Sequence, residues 1–185
     1  MYSWIDGLEA APPNADSRQL RMALSAFMTG VCLVTTVGED GKREGMTINS
    51  FSSVSLQPPL VLWSIRDDAR SADAFLGSGR FAIHVLAEEH QELALHFARP
   101  APDKFEKYVS EFEAGLHGCP RLRGALATFE CSTYSRHKEG DHTILIGRVE
   151  RFSSCAAAPL VAHAGRLGPV DEIADALRKA RETAS

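Results

Sequence analysis

Two runs rich in β-branched and aromatic residues, ALATFECSTYSRH (125–137) and HTILIGRVERF (142–152), are separated only by the polar stretch KEGD. Such a pair reads as a long β-hairpin. It commits the chain to an antiparallel sheet, because a tight turn cannot join parallel strands. The remaining segments must supply that sheet with neighbours. VCLVTTV (31–37), the turn GEDG (38–41) and REGMTINSF (43–51) read as a second hairpin. LVLWSI (60–65), entered through Pro58-Pro59, and FAIHVL (81–86) read as buried strands, and PLVAH (159–163) as a last edge strand. Helices are predicted to be short and peripheral. Asp16 or Ser17 caps a first one, with Leu20, Leu24, Phe27 and Met28 on one face and Gly30 as its end. Ser71 caps SADAFL, which the Gly77/Gly79 pair ends. Residues 88–97 form a third, PDKFEKY adds a helical turn, and the tail VDEIADALRKARETA carries Val170, Ile173, Leu177 and Ala180 on one stripe. The βαβ alternation of a doubly wound sheet is absent. The expected fold is mainly β with peripheral helices, a small Greek-key barrel.

The 185 residues suit one domain with a short appended tail, and 44% hydrophobic with 24% charged is ordinary globular composition. A net charge of −4 with scattered Lys and Arg argues against nucleic acid as a partner. No apolar stretch approaches bilayer length, so no membrane span is expected. MYSWIDGLEAAPPNAD has neither a basic region nor an apolar region of a signal peptide, which points to the cytoplasm. Cys32, Cys119, Cys131 and Cys155 are widely spaced without a C-x-x-C pair and read as buried or free thiols.

Several chemistries are missing. Gly77-Ser78-Gly79 is followed by Arg80-Phe81-Ala82, so the dinucleotide fingerprint fails. There is no Walker A loop, no H-E-x-x-H and no G-x-S-x-G. His137 and His142 flank Asp141, but the spacing fits no standard zinc pattern and hairpin chemistry explains the turn, so no metal is expected. His90 and His96 lie six apart, on different helical faces, and read as separate surface or edge residues.

What remains is polar and uncharged. GMTINSFSSVS (45–55) gathers Thr47, Asn49, Ser50, Ser52, Ser53 and Ser55 on one strand and its exit. Such a run is either a solvent-facing strand or a wall for a planar ligand with a polar rim. In SIRDDARSADAF (64–75), Arg66, Arg70 and Ser71 cluster before a helix start, which reads either as a solvated, capped turn or as an anion site. Gly140-Asp141-His142 places an imidazole at the mouth of a strand, either as an ordinary turn or as a hydrogen-bonding group of a site.

Taken together, FMTGVCLVTT (27–36), GMTINSFSSVSLQPPLVLWSI (45–65), SGRFAIHVLA (78–87), FARPAPDKF (97–105) and GDHTILIGRVE (140–150) resemble, in order, the flavin reductase family with the FMN-binding split-barrel fold. Its members include the reductase components of two-component aromatic monooxygenases. The resemblance implies a homodimer of Greek-key split β-barrels, each with a flavin near the subunit interface. With 1–15 read from its residues as an N-terminal arm and 169–185 as a C-terminal helix, the resemblance makes 16–168 a flavin-binding split-barrel domain. It implies that Gly45, Met46, Thr47, Asn49 and Ser50 line the isoalloxazine and ribityl chain. Ser64, Ile65 and Arg66 would border the flavin from the adjacent strand, and Arg70 and Ser71 would hold its phosphate. His96 falls where some members place an Arg against the cofactor. Asp141 and His142 match the turn near the nicotinamide, with His142 as the residue closest to catalysis. The chain departs from the family pattern at His84, where Asn is frequent, and at Val161-Ala162 and Leu167, where aromatics are frequent.

The function so implied is hydride transfer from NADH or NADPH to FMN or FAD, with reduced flavin passed to a monooxygenase. A bound flavin serving another acceptor (a tetrapyrrole such as a corrin, a metal centre or a quinone), a non-enzymatic flavin- or haem-binding module, and a plain interaction protein are the alternatives.

Overall fold

The computed structural model describes residues 17–182. The predicted N-terminal arm and Asp16 lie outside them. In chain order the elements are α1 (Ser17–Leu24), β1 (Thr29–Gly30), β2 (Cys32–Val37), β3 (Arg43–Ile48), β4 (Ser52–Leu56), β5 (Pro59–Arg66), α2 (Ala72–Gly77), β6 (Arg80–Val85), α3 (Gln91–Phe97), β7 (Phe112–Ala114), β8 (Pro120–Leu122), β9 (Ala127–Glu139), β10 (His142–Ser154), β11 (Leu160–His163), β12 (Arg166–Pro169) and α4 (Val170–Glu182). Seven strands form one antiparallel sheet in the order β3-β2-β6-β9-β10-β5-β4. Its two edge strands, β3 and β4, are consecutive in the chain and joined only by Asn49, Ser50 and Phe51. So short a linker brings the edges together, and the sheet must curl into a barrel split between them. The mainly β, split-barrel expectation is borne out.

The long hairpin is present, with Glu139 paired to His142 around the two-residue loop Gly140-Asp141. Gly140 has φ +61°, a conformation that glycine adopts without steric cost.

Strand alternation builds two cores. Cys32 and Val34 of β2 face the barrel interior with Trp63, Ile65, Phe75, Phe81, Ile83 and Leu145. Val31 and Leu33, one step out of phase, face a second layer with Leu86, Leu93, Phe97, Phe105 and Leu160. Within the barrel Trp63 meets Phe75 and Phe81 edge-on, with centroids 5.0 and 5.7 Å away. Gly147 of β10 lets Phe81 sit directly on the backbone. A Cβ there would collide with the Phe81 ring and stand 3.0 Å from Cys131 Cβ. Gly147→Ala is therefore expected to lose about 1–3 kcal/mol by overpacking, visible as a drop of several degrees in Tm; an unchanged Tm contradicts it.

Four expectations are corrected. The first helix stops at Leu24 rather than Gly30, because Thr29 and Gly30 pair as a strand with Ala162 and Val161. The strand predicted over 43–51 ends at Ile48, and residues 49–51 link it to a strand on the opposite edge of the sheet. The strand at 160–163 is the middle, not the edge, of a small sheet ordered β1-β11-β12. His90 is buried, not a surface residue. Its Nδ1 accepts the Ala87 N–H at 3.2 Å and caps the 3-10 turn that leads into α3. Among the described residues no helix is long and apolar enough to cross a membrane.

Candidate functional site

One side chain carries the β4–β5 pairing into the linker. Ser50 sits in the linker between the two sheet edges, beside the end of β5. Its hydroxyl donates to the Ser64 carbonyl at 3.2 Å and accepts the Ser64 N–H at 3.1 Å. One side chain thus makes both bonds that a neighbouring strand would make. Asn49 before it is exposed, and Phe51 after it is anchored by stacking on Phe129 at 5.5 Å. The linker is therefore pinned at Ser50 and Phe51 and presents the Asn49 amide to solvent.

From Ser64, β5 runs on to Arg66, which stands directly opposite His142 in the β5–β10 ladder. His142 Nδ1 donates to the Asp141 carboxylate at 2.8 Å. That bond leaves Nε2 free on a ring that remains 41% exposed. The same hydrogen bond, reinforced by the imidazole's charge when protonated, holds the Asp141 carboxyl below its usual range. Arg66 itself is paired with Asp68 at 2.7 Å.

A second group of residues gathers on the outer face of β3. Gly45 and Thr47 face α3, while Met46 and Ile48 point into the barrel core. Gly45 has no room for a side chain, since a Cβ would lie 2.8 Å from the Phe97 ring and 3.1 Å from that of Phe105. Thr47 spends its hydroxyl on Ala94 O at 2.7 Å. Lys104 Nζ donates to Gly45 O at 3.1 Å and to Phe97 O at 2.9 Å, and so ties β3 to the end of α3. Gly45 thus turns its carbonyl away from β2. The ladder alternates, so the backbone groups of Thr47 face the same free side. Burial pushes the Lys104 ammonium below its ordinary range, and the charge of nearby Arg70 adds to this against the pull of Glu44. Arg70 makes no ion pair among the described residues. Ser71 is buried, yet its hydroxyl forms no capping bond to α2.

The predicted residues thus fall into two kinds. Gly45, Met46, Thr47, Ser50, Ser64 and Ile65 shape the wall: Met46 and Ile65 pack in the core, the hydroxyls of Thr47 and Ser50 are bonded to backbone, and Gly45 and Ser64 contribute backbone groups. Asn49, Arg70, Ser71 and His142 keep polar groups available. Arg66 and Asp141 lie beside them but are already paired. His96 is engaged elsewhere. Its Nε2 donates to Lys104 O at 3.0 Å, and its ring meets Tyr108 edge-on at 5.2 Å. It holds the loop that carries Lys104. Lys104 and Asp67 were not singled out from the sequence. Each is a charged residue in a polar stretch, with no local pattern to mark it.

Two cavities, of about 430 and 410 Å³, lie among Glu113, Arg121, Glu130 and Arg151 and beside His96, Arg99 and Lys107. Neither is lined by Asn49, Arg70 or His142. The first is crossed by ion pairs between its own walls.

Comparison with known proteins agrees with the sequence resemblance. Residues 24–171 match the flavin reductase like domain family. The reductase component of the flavin-dependent trigonelline monooxygenase of Acinetobacter baylyi is 44% identical over 146 residues, 77% of this chain and 46% of that protein. A probable flavin reductase of Rhizobium meliloti is 43% identical over 139 residues, 75% of this chain and 44% of that one. The chain thus spans about half the length of these two relatives. The NADH-dependent FMN reductase SmoA of Agrobacterium fabrum is 41% identical over 85% of this chain and 88% of its own. Among solved structures, the NADH:FAD oxidoreductase SgcE6 of Streptomyces globisporus, determined with NAD and FAD fragments, superposes with a TM-score of 0.79 at 36% identity. It covers 86% of this chain and 95% of that one.

Proposed function

The chain belongs to the flavin reductase like domain family, and on that premise we propose that it moves hydride from NADH or NADPH to FMN or FAD and delivers the reduced flavin to a partner monooxygenase. The observation that carries this reading is the set of groups beside the split: Lys104 bonded to Gly45 O, Ser50 bonded to the Ser64 backbone, and Arg66 opposite His142 in the β5–β10 ladder. The donor set suits a flavin. The Arg70 guanidinium, the Ser71 hydroxyl and the remaining N–H of Lys104 match a phosphate, and the Asn49 amide matches a heterocycle with alternating donors and acceptors. The redox step itself, uptake of the nicotinamide hydride, belongs to the bound flavin.

The chain's own residues bind and orient. The free backbone groups of β3 offer N–H donors, fixed in place by Lys104, to negative charge that grows in the reaction. Phe97 and Phe105 back that strand, so the donors need not reorganise. Asp141 holds His142 in the Nδ1–H form, which leaves Nε2 as a hydrogen-bonding group toward the nicotinamide. No strong general base is required. The expected result is steady oxidation of reduced nicotinamide that saturates with added FMN or FAD; no oxidation with either flavin sinks the proposal.

A homodimer is part of this reading. Its support is α1 and the segment after it. No residue of α1 is buried, and Leu24 and Phe27 are 67% and 78% exposed beside Leu20, Met22 and Met28. Such a contiguous apolar surface is usually covered by a partner. An open site wall is also what a second copy would complete. Leu24→Asp combined with Phe27→Asp is expected to turn a dimer into a monomer in light scattering, with weaker flavin binding. A monomeric parent chain rules this out. In this reading the barrel over 16–168 is the flavin-binding unit and the helix that follows is appended to it. A cytoplasmic setting suits the four cysteines, none of which is paired.

A further inference from the structure

We infer that Asp67 is a positioning residue that sets the place of the Gly140–His142 turn, and so of His142. The inference rests on the proposed role of His142 toward the nicotinamide. Asp67 is the first residue beyond β5, where the ladder with β10 has ended at the Arg66–His142 pair. It continues the pairing by other means. Its N–H donates to Asp141 O at 3.0 Å, inside the turn. Its Oδ1 accepts the hydroxyl of Thr143 at 2.8 Å, on the far side of the turn. Its Oδ2 meets Lys138 Nζ at 3.2 Å, on the near side. One residue therefore holds both legs of the hairpin tip and the carbonyl between them.

The three ties differ in weight. Lys138 is 74% exposed, and an ion pair so open contributes little. Thr143 is buried, so its hydroxyl has no water to turn to if Asp67 is lost. The hydrogen bond from Thr143 is also the main cause that keeps the Asp67 carboxyl below its usual range.

The two residues before Thr143 are Asp141 and His142, and β9 and β10 extend beyond the barrel core here, with residues 136–141 exposed. No packing fixes this tip. Its position relative to Arg66 depends on hydrogen bonds, and those of Asp67 reach both strands. A reacting pair displaced by ~1 Å can lose up to ~100-fold in rate, so a tip that wanders on this scale would be seen in kinetics.

The test compares Asp67→Ala, Asp67→Asn, His142→Ala and the Asp67→Ala/His142→Ala double variant. It reads amide hydrogen exchange over 138–143 in the flavin-free protein, and kcat and KM for NADH with FMN. Asp67→Ala is expected to speed exchange at the tip about tenfold and to lower kcat/KM for NADH about tenfold. The KM for FMN should be unchanged. Asp67→Asn, which keeps an acceptor for Thr143, should restore both. In the His142→Ala background the further loss should vanish. Unchanged exchange in Asp67→Ala overturns the inference, as does a full additional loss in the double variant. A silent Asp67→Ala beside an impaired His142→Ala also overturns it and leaves the role of His142 standing. A silent His142→Ala overturns that role itself and the inference with it.

Discussion

Replacing Asn49 and Ser50 together by alanine is expected to weaken flavin binding by ~2–4 kcal/mol, roughly 30- to 1,000-fold in Kd. The two residues contribute in different ways. Asn49 is exposed at the end of β3 and would lose its own contact with the ligand. Ser50 has no free group to offer, since its hydroxyl is shared between Ser64 N–H and Ser64 O. Its loss leaves two backbone groups of β5 without partners, so the wall on which the ligand rests changes shape. Ser50→Thr keeps the hydroxyl and should bind nearly as the parent does. Fluorescence titration with FMN and FAD measures these effects. Unaltered affinity in the double variant removes the 45–50 segment from the site.

Acidification is expected to cost this fold about 3 kcal/mol between pH 6.5 and pH 4, and the source is His84. The side chain is fully buried in β6, and burial lowers its pKa to about 4 against the opposing hydrogen bond to the Leu33 carbonyl. Nδ1 donates to Leu33 O at 3.1 Å, so the neutral ring carries its proton there. Nε2 is buried without a partner. A second proton would sit on that nitrogen with nothing to receive it. Nearby Glu130 favours the charged form, while Arg121 and His90 oppose it.

The unfolded chain takes up this proton near pH 6.5 and the folded chain only near pH 4. Below pH 6.5 the unfolded state therefore binds more protons, and stability falls as pH falls through that window. Carboxylates with lowered pKa, such as Glu113, Glu130 and Asp141, lose their contribution in a lower range, near and below pH 4. Urea unfolding from pH 7 to pH 4.5 separates the two. His84→Asn should flatten the upper part of the profile. If the variant and the parent share one profile, His84 is not its source.

The sequence by itself determined the class of fold and the residues worth watching. Alternation along 125–137 and 142–152 is a local property, and it predicted the hairpin that the structure contains; the turn expected over 138–141 is shorter, because Lys138 and Glu139 pair with Thr143 and His142. The polar run at 45–55, the Arg70-Ser71 turn and the Gly140–His142 turn were legible as unusual composition, and their order along the chain carried the family resemblance.

Only the tertiary structure decided how these pieces act. Residues 43–51 read locally as a single strand. That the run breaks at Asn49 to Phe51 follows from closure of the sheet, which places β3 and β4 on opposite edges. Thr29 and Gly30 leave the helix because a strand more than 130 residues away takes them. Lys104 reaches Gly45 across 59 positions and Thr143 reaches Asp67 across 76. The physical reason is the same in each case. Hydrophobic periodicity is written into neighbouring residues, whereas the partner of a polar group is chosen by whichever distant segment the packed core brings beside it. Ser50 illustrates the division: its place in a polar run was visible in the chain, but its two bonds to Ser64 exist only once the fold lays the linker beside β5.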